Sequence, residues 1–176
     1  MFRLLIAFSL VAVVASQCSG GIPATEVKAF LAAHNALRKG ISDGKFVAKG
    51  KTMPAAKTPI PSMTWDCDIE KSAQKVSNTC VMQHSTNRKN LGENLYMSWG
   101  SAGVTVAGQG TAACKSWADE FQKYGWNSVK LTTQAFNSGI GHATQMAWAK
   151  STKIGCGITL CEGGKSVLVA CQYRDA

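Results

Sequence analysis

The chain has 176 residues, 45% hydrophobic and 16% charged, and no segment past the first sixteen residues approaches the roughly 20 apolar residues that a bilayer-spanning helix needs. Its 19 basic against 10 acidic residues give a net charge of +9, yet the aromatics do not interleave with the basic residues as in a nucleic-acid module. What remains is a single domain, long enough to bury about 70% of its unfolded surface in one core.

Arg3, the apolar run from Leu4 to Val14 and the small residues Ala15 and Ser16 read as a secretory signal peptide over residues 1–16, leaving 17–176 as the mature domain. All seven cysteines, Cys18, Cys67, Cys80, Cys114, Cys156, Cys161 and Cys171, follow the cleavage point. None forms a C-x-x-C pair, so disulfides in an oxidising compartment fit better than a thiolate metal site, and the odd count leaves one cysteine over.

Glu26 to Lys39 predicts a helix, with Val27, Phe30, Leu31, His34 and Leu37 at helical spacing, Thr25 as N-cap and Gly40 as its end. Residues 41–62 hold Pro54, Pro59 and Pro61 and read as an irregular surface loop. Its lysines Lys45, Lys49, Lys51 and Lys57 fit either a solvated loop or a surface that meets anionic glycans or membranes. Trp65, Ile69, Ala73, Val76 and Cys80 form the stripe of a second helix, with His84 beyond its end. Leu95 to Trp99 is a strand candidate, and Gly100 to Gly110 is a glycine-rich loop without the Lys-Ser or Lys-Thr ending of a phosphate-binding loop. Thr111 to Tyr124 predicts a third helix ended by Gly125, and a short fourth helix falls around His142 to Lys150. Lys153 to Leu160 and Ser166 to Tyr173 alternate like the two arms of a hairpin turning at Glu162-Gly163-Gly164-Lys165. Early helices and late strands predict an α+β domain with a small antiparallel sheet.

Two imidazoles and two carboxylates, His84, His142, Glu93 and Glu120, are the residues able to converge on chemistry. Neutral imidazole is a good Zn²⁺ ligand, and a carboxylate beside it orients the ring. Two histidines alone fall short of the three protein ligands of a catalytic zinc site, so a weak, exchangeable metal is the expectation. The glutamates equally suit the ends of neighbouring segments as hydrogen-bond acceptors. His34, on the apolar stripe, reads as a satisfied core histidine, Arg38 as the partner of an acidic residue, and Trp65, Trp117 and Trp148 as core. Ser85 beside His84 admits a Ser/His/Glu hydrolase, although adjacent residues seldom face each other and no nucleophile elbow is present.

Several blocks occur in a distinctive order: His34-Asn35-Ala36-Leu37-Arg38, Trp65 with Glu70-Lys71-Ser72-Ala73-Gln74, Cys80 with His84, Gly92-Glu93-Asn94-Leu95-Tyr96, and Trp117 with Glu120. They continue through Gly141-His142-Ala143-Thr144-Gln145-Met146-Ala147-Trp148, Gly155-Cys156-Gly157 and Cys171-Gln172-Tyr173. Together they resemble the CAP superfamily (SCP/TAPS: cysteine-rich secretory, antigen 5 and pathogenesis-related proteins). Cys67, Cys114 and Trp65-Asp66-Cys67-Asp68 look most like its nematode secreted, venom-allergen-like branch.

The resemblance implies a three-layer α-β-α sandwich, the CAP/SCP domain, with a cleft tetrad of His84, Glu93, Glu120 and His142. His84 and His142 would be the ligands of Zn²⁺ or another weakly held divalent ion. It implies disulfides Cys80–Cys161 and Cys156–Cys171, which leaves Cys67 to Cys114 and Cys18 without a partner. Family members have an aromatic where Ala143 stands, a loss expected to widen the cleft wall. They also continue past Ala176, which implies truncation there. The function that follows is a secreted, extracellular binding or immunomodulatory protein, with no agreed catalytic activity and an unnamed protein or lipid partner. A lipid or sterol carrier using Tyr96 to Gly108 and a metal-dependent hydrolase using the tetrad are the alternatives.

Overall fold

A computed structural model describes Cys18 and residues 21–86, 88–126 and 130–176; the expected signal peptide lies outside the described residues. The first helix, α1 (Ala24–Ser42), buries Phe30, His34, Leu37, Arg38 and Ile41 along one face. It runs through Gly40, because Ile41, only 1% exposed, carries the apolar stripe one position further and its packing outweighs the glycine's helix penalty. Pro23, not Thr25, precedes the first turn, and no side chain caps it.

The loop expected over 41–62 contains a two-stranded ribbon, β1 (Val47–Ala48) and β2 (Lys51–Thr52), with Ala48 and Met53 buried beneath it. Strand β3 (Thr64–Trp65) takes Trp65 out of the second helix. That helix, α2 (Cys67–Ser77), begins at Asp66, whose carboxylate accepts the Asp68 and Ile69 N–H groups at 3.0 Å. It ends before Cys80, so the stripe's last member lies in the loop that carries His84.

Strand β4 (Leu91–Trp99) is longer than expected, and α3 (Gln109–Tyr124) ends at Gly125 with φ 78°, as a glycine after a helix allows. Short helices α4 (Thr133–Asn137) and α5 (Gly141–Ala147) follow, of which the sequence reading held only α5. The hairpin β5 (Lys153–Cys161) and β6 (Ser166–Arg174) closes the fold through a 3₁₀ turn at Glu162–Gly164.

The four-stranded sheet has the order β3-β5-β6-β4 and is antiparallel except for the short parallel pairing of β3 with β5. Helix α2 covers one face and α1, α3 and α5 the other, which makes the α-β-α sandwich. On the α2 face, Gly155 and Gly157 let the helix lie directly on β5: a Cβ at either would collide with the Glu70 or Gln74 backbone. On the opposite face Ile154, Cys156, Ile158, Val167, Val169, Cys171 and Tyr173 alternate into the main core with Phe30, Trp117 and Phe121.

Two expected disulfides, Cys80–Cys161 and Cys156–Cys171, are present. The third corrects the expectation. Cys18 pairs with Cys67, and Cys114 is a free thiol in the core. Cys67 opens α2 on one side of the sheet while Cys114 points from α3 into the core on the other, so the sheet stands between them.

Arg38 also departs from expectation. It is 1% exposed and has no acidic partner among the described residues. Its guanidinium instead donates to the carbonyls of Pro61 (2.7 Å), Met146 (3.1 Å), Trp148 (2.9 Å) and Ser151 (3.0 Å). A cation there complements the C-terminal carbonyls of α5. At the other end of the domain, buried Glu26 accepts the N–H groups of Gly108 (2.8 Å) and Gly110 (2.7 Å) and so caps α3, whose own N-cap, Gly108, has no side chain to do it.

Candidate functional site

The site straddles the exposed edge of the sheet. Strand β4 pairs on one side only, with β6, and its pleat sends Glu93 and Leu95 toward the α2 layer and Asn94 toward the α1 layer. The cleft therefore draws on both layers, and all four expected residues line it.

Glu93 is anchored from every direction. Its side chain is fully buried and accepts from His84 Nδ1 (2.8 Å), Ser85 N (2.9 Å), Ser85 Oγ (2.7 Å) and Gln172 Nε2 (2.8 Å). Burial alone would raise its carboxyl pKa, but the donors Gln172, Ser85 and His84 outweigh it and hold the group below the ordinary value. Arg88 Nη1 lies 3.7 Å from the same carboxylate.

Glu120, on α3, makes the second half of the site. It accepts from His142 Nδ1 at 2.6 Å and from Ala143 N at 3.0 Å, so it orients an imidazole and caps the start of α5 together. The His142 ring also stacks on Trp117, with centroids 6.2 Å apart and planes 17° from parallel, while Trp117 donates from Nε1 to Leu95 O. Both readings of the glutamates thus hold at once: each orients a histidine and each satisfies a main-chain N–H.

Both rings are held through Nδ1 by a carboxylate, so Nε2 is the nitrogen each has left for another partner. The cleft is about 560 Å³ and is also lined by Arg88, Asn94, Phe136 and Gln145. The donor set fits a divalent ion held by two imidazole nitrogens and completed by water. It does not fit a closed site, since no group of three or more His, Cys, Asp or Glu residues able to hold a metal occurs among the described residues.

Ala143 does not widen the cleft wall as expected. Its side chain is fully buried in the core and only its N–H faces the site, because the turn from Gly141 into α5 points His142 outward and the next residue inward. The aromatic ring at the cleft comes from Phe136 on α4, which is 54% exposed. Ser85, considered in the sequence only as a nucleophile, serves here as a donor to Glu93, and the roles of Asn94 and Gln172 were unforeseen. Only Gln172 carried a signal, as a polar residue inside an otherwise apolar strand.

A buried polar chain ties the cleft to the core. His34 donates from Nδ1 to Phe30 O (2.8 Å) and accepts at Nε2 from the Tyr173 hydroxyl (3.0 Å). Asn94 Nδ2 then donates to Tyr173 Oη (3.2 Å) and to His142 O (3.1 Å). His34 is the satisfied core histidine expected. Burial lowers its pKa to about 4, so it is neutral when folded and titrates near 6.5 when unfolded. The unfolded chain then binds the extra proton between these values, so the stability from neutral burial is complete above pH 6.5 and is lost as pH falls toward 4. The loss is about 3 kcal/mol. Urea midpoints for the parent and His34→Gln should diverge most at neutral pH and converge by pH 4; parallel profiles would contradict this.

Residues 31–173 match the model of the family described as CAP, cysteine-rich secretory protein family. Ancylostoma secreted protein of Ancylostoma caninum is 35% identical over 154 residues, covering 82% of this chain and 35% of that protein. Cysteine-rich secretory protein 2 of Homo sapiens is 31% identical over 150 residues, covering 81% and 53%. The chain thus spans between about a third and three fifths of the length of such curated relatives. Among solved structures, BmVAL-1 is similar at TM-score 0.84 and 37% identity, covering 91% of this chain and 82% of that one. NaASP2, solved with Zn²⁺, has TM-score 0.82 and 34% identity, covering 91% and 85%.

Proposed function

The chain belongs to the CAP, cysteine-rich secretory protein, family, and from that premise we propose that it is a secreted binding or immunomodulatory effector whose cleft takes up a divalent cation weakly. The observation that carries this reading is the matched anchoring of His84 and His142 through Nδ1, which leaves two Nε2 atoms as ligands. The three disulfides fit an oxidising, extracellular setting, and the Zn²⁺ in the NaASP2 structure supports the choice of ion.

When bound, the cation supplies a Lewis-acid centre around which an acceptor group of a partner can order. Glu93 and Glu120 fix the two rings, and Asn94 and Gln145 offer polar groups at the cleft wall. The alternative of hydrolysis has less support, because the Ser85 hydroxyl donates to Glu93 rather than to an imidazole base. Calorimetric titration with Zn²⁺ tests the proposal. One saturable site should vanish in both His84→Ala and His142→Ala, and uptake that persists in both would overturn it.

A second reading, a lipid carrier, is favoured by one observation at a different place from the one expected. Tyr96 to Gly108 does not line the cleft, whereas an apolar cavity of about 300 Å³ lies between the end of α1 and α5. Trp126 and Trp148 line it, and the buried Nε1 donor of each has no acceptor among the described residues. A ligand with an apolar body and an acceptor head would satisfy them. Titration with a long-chain fatty acid should shift tryptophan emission in the parent and less in Trp148→Phe; an unchanged spectrum in the parent would exclude this reading.

A further inference from the structure

Of the four lysines between α1 and β3, Lys45 and Lys57 lie in exposed irregular segments, as expected of a solvated loop, whereas Lys49 and Lys51 belong to the β1–β2 ribbon. Lys49 sits at the tip of the β1–β2 ribbon, in the left-handed region at φ 47°, and Lys51 starts the return strand. The ribbon is fastened to the C-terminal end of α3: Gln122 donates to Val47 O, and the Lys49 side chain lies against Gly125. Lys123 follows Gln122 at that same end of α3, and its ammonium stands 5.0 Å from the centre of the Tyr124 ring. Lys49, Lys51 and Lys123 are exposed and no salt bridge to an acidic residue involves them among the described residues. Lys45 stands at the margin, close to Asp43, which is itself held by Lys39. Tyr124 is 41% exposed and packs against Gly139, which lines the cleft, so the patch continues to the cleft rim.

We propose that Lys49, Lys51, Lys123 and Tyr124 form a binding site for a sulfated polysaccharide. Ammonium groups on a pinned ribbon meet the sulfates of a linear polyanion without the ordering cost of a mobile loop. Tyr124, 41% exposed, adds the open part of its ring beside the Lys123 ammonium as an apolar contact for a sugar between two sulfates. The ribbon is too short and narrow to present the broad apolar face of an interfacial membrane element. The disulfides fit an oxidising, extracellular setting, in which glycans rather than nucleic acids are the abundant polyanions.

Binding of a size-defined heparin oligosaccharide at physiological salt tests this, using the parent, a patch variant (Lys49→Ala, Lys51→Ala and Lys123→Ala) and a remote variant of equal net charge (Lys71→Ala, Lys75→Ala and Lys165→Ala). Circular dichroism checks that each is folded. The patch variant should lose affinity on the order of 100-fold and the remote variant far less. Equal losses would reduce the effect to net charge and overturn the proposal. Failure of the parent to bind heparin, including the case where it binds phosphatidylserine vesicles instead, would overturn it as well. A Zn²⁺ titration unaltered in the patch variant would keep this outcome separate from the fate of the metal site.

Discussion

Replacing Arg38 with alanine should lower the unfolding free energy by about 4 to 5 kcal/mol, close to the whole stability of many domains of this size. The substitution strands four carbonyls, those of Pro61, Met146, Trp148 and Ser151, at a place where the parent side chain is 1% exposed. Each unsatisfied buried acceptor costs about 1 to 3 kcal/mol, reduced where water can enter the vacated space. Arg38→Lys should recover little, since one ammonium cannot span four carbonyls from two stretches of chain as the planar fork does. Because burial lowers the guanidinium pKa only to about 10, the charge is present at neutral pH and its loss is felt there. Guanidinium unfolding at pH 7 measures this, and an alanine variant within 1 kcal/mol of the parent would show that the cage is not a main support.

Glu93→Ala should cost about 3 kcal/mol in stability and lower divalent metal affinity by about 10- to 100-fold. Four donors lose one acceptor, and His84, half-exposed, loses the contact that fixes its ring. The sign with pH follows from the lowered folded pKa: the contribution is complete above the unfolded carboxyl value and is lost as pH falls through the folded one. Parent and variant should therefore differ at pH 7 and approach each other in acid. A variant that keeps full metal affinity would mean that Glu93 is a strut for Ser85 and Gln172 and no more.

The residues that converge on the cleft were legible in the sequence because the block order brought His84, Glu93, Glu120 and His142 together as a set. Their common geometry was not. Nothing in a pattern of residue types says that both rings are held through Nδ1, or that Ser85 would spend its proton on a carboxylate. Helix α3 was well placed because its stripe and Gly125 agree, whereas α1 overran Gly40 because the burial of Ile41 outweighed a local stop signal. Arg38 and Glu26 were misread or missed for one reason: their partners are main-chain groups of segments far along the chain, and these leave no trace in composition. Cys114 was assigned a partner by counting, and counting does not know which face of a sheet a helix covers. The lysines of the ribbon looked like loop residues because two-residue strands are too short to show an alternating pattern.

A crystal structure of the protein with Zn²⁺ decides whether the two Nε2 atoms share one ion. The predicted result is a single ion about 2.0 to 2.1 Å from both His84 Nε2 and His142 Nε2, its remaining positions filled by water, with both Nδ1–carboxylate bonds intact. An ion bound elsewhere, or rings that leave Glu93 and Glu120 to reach it, would rule out the two-histidine site.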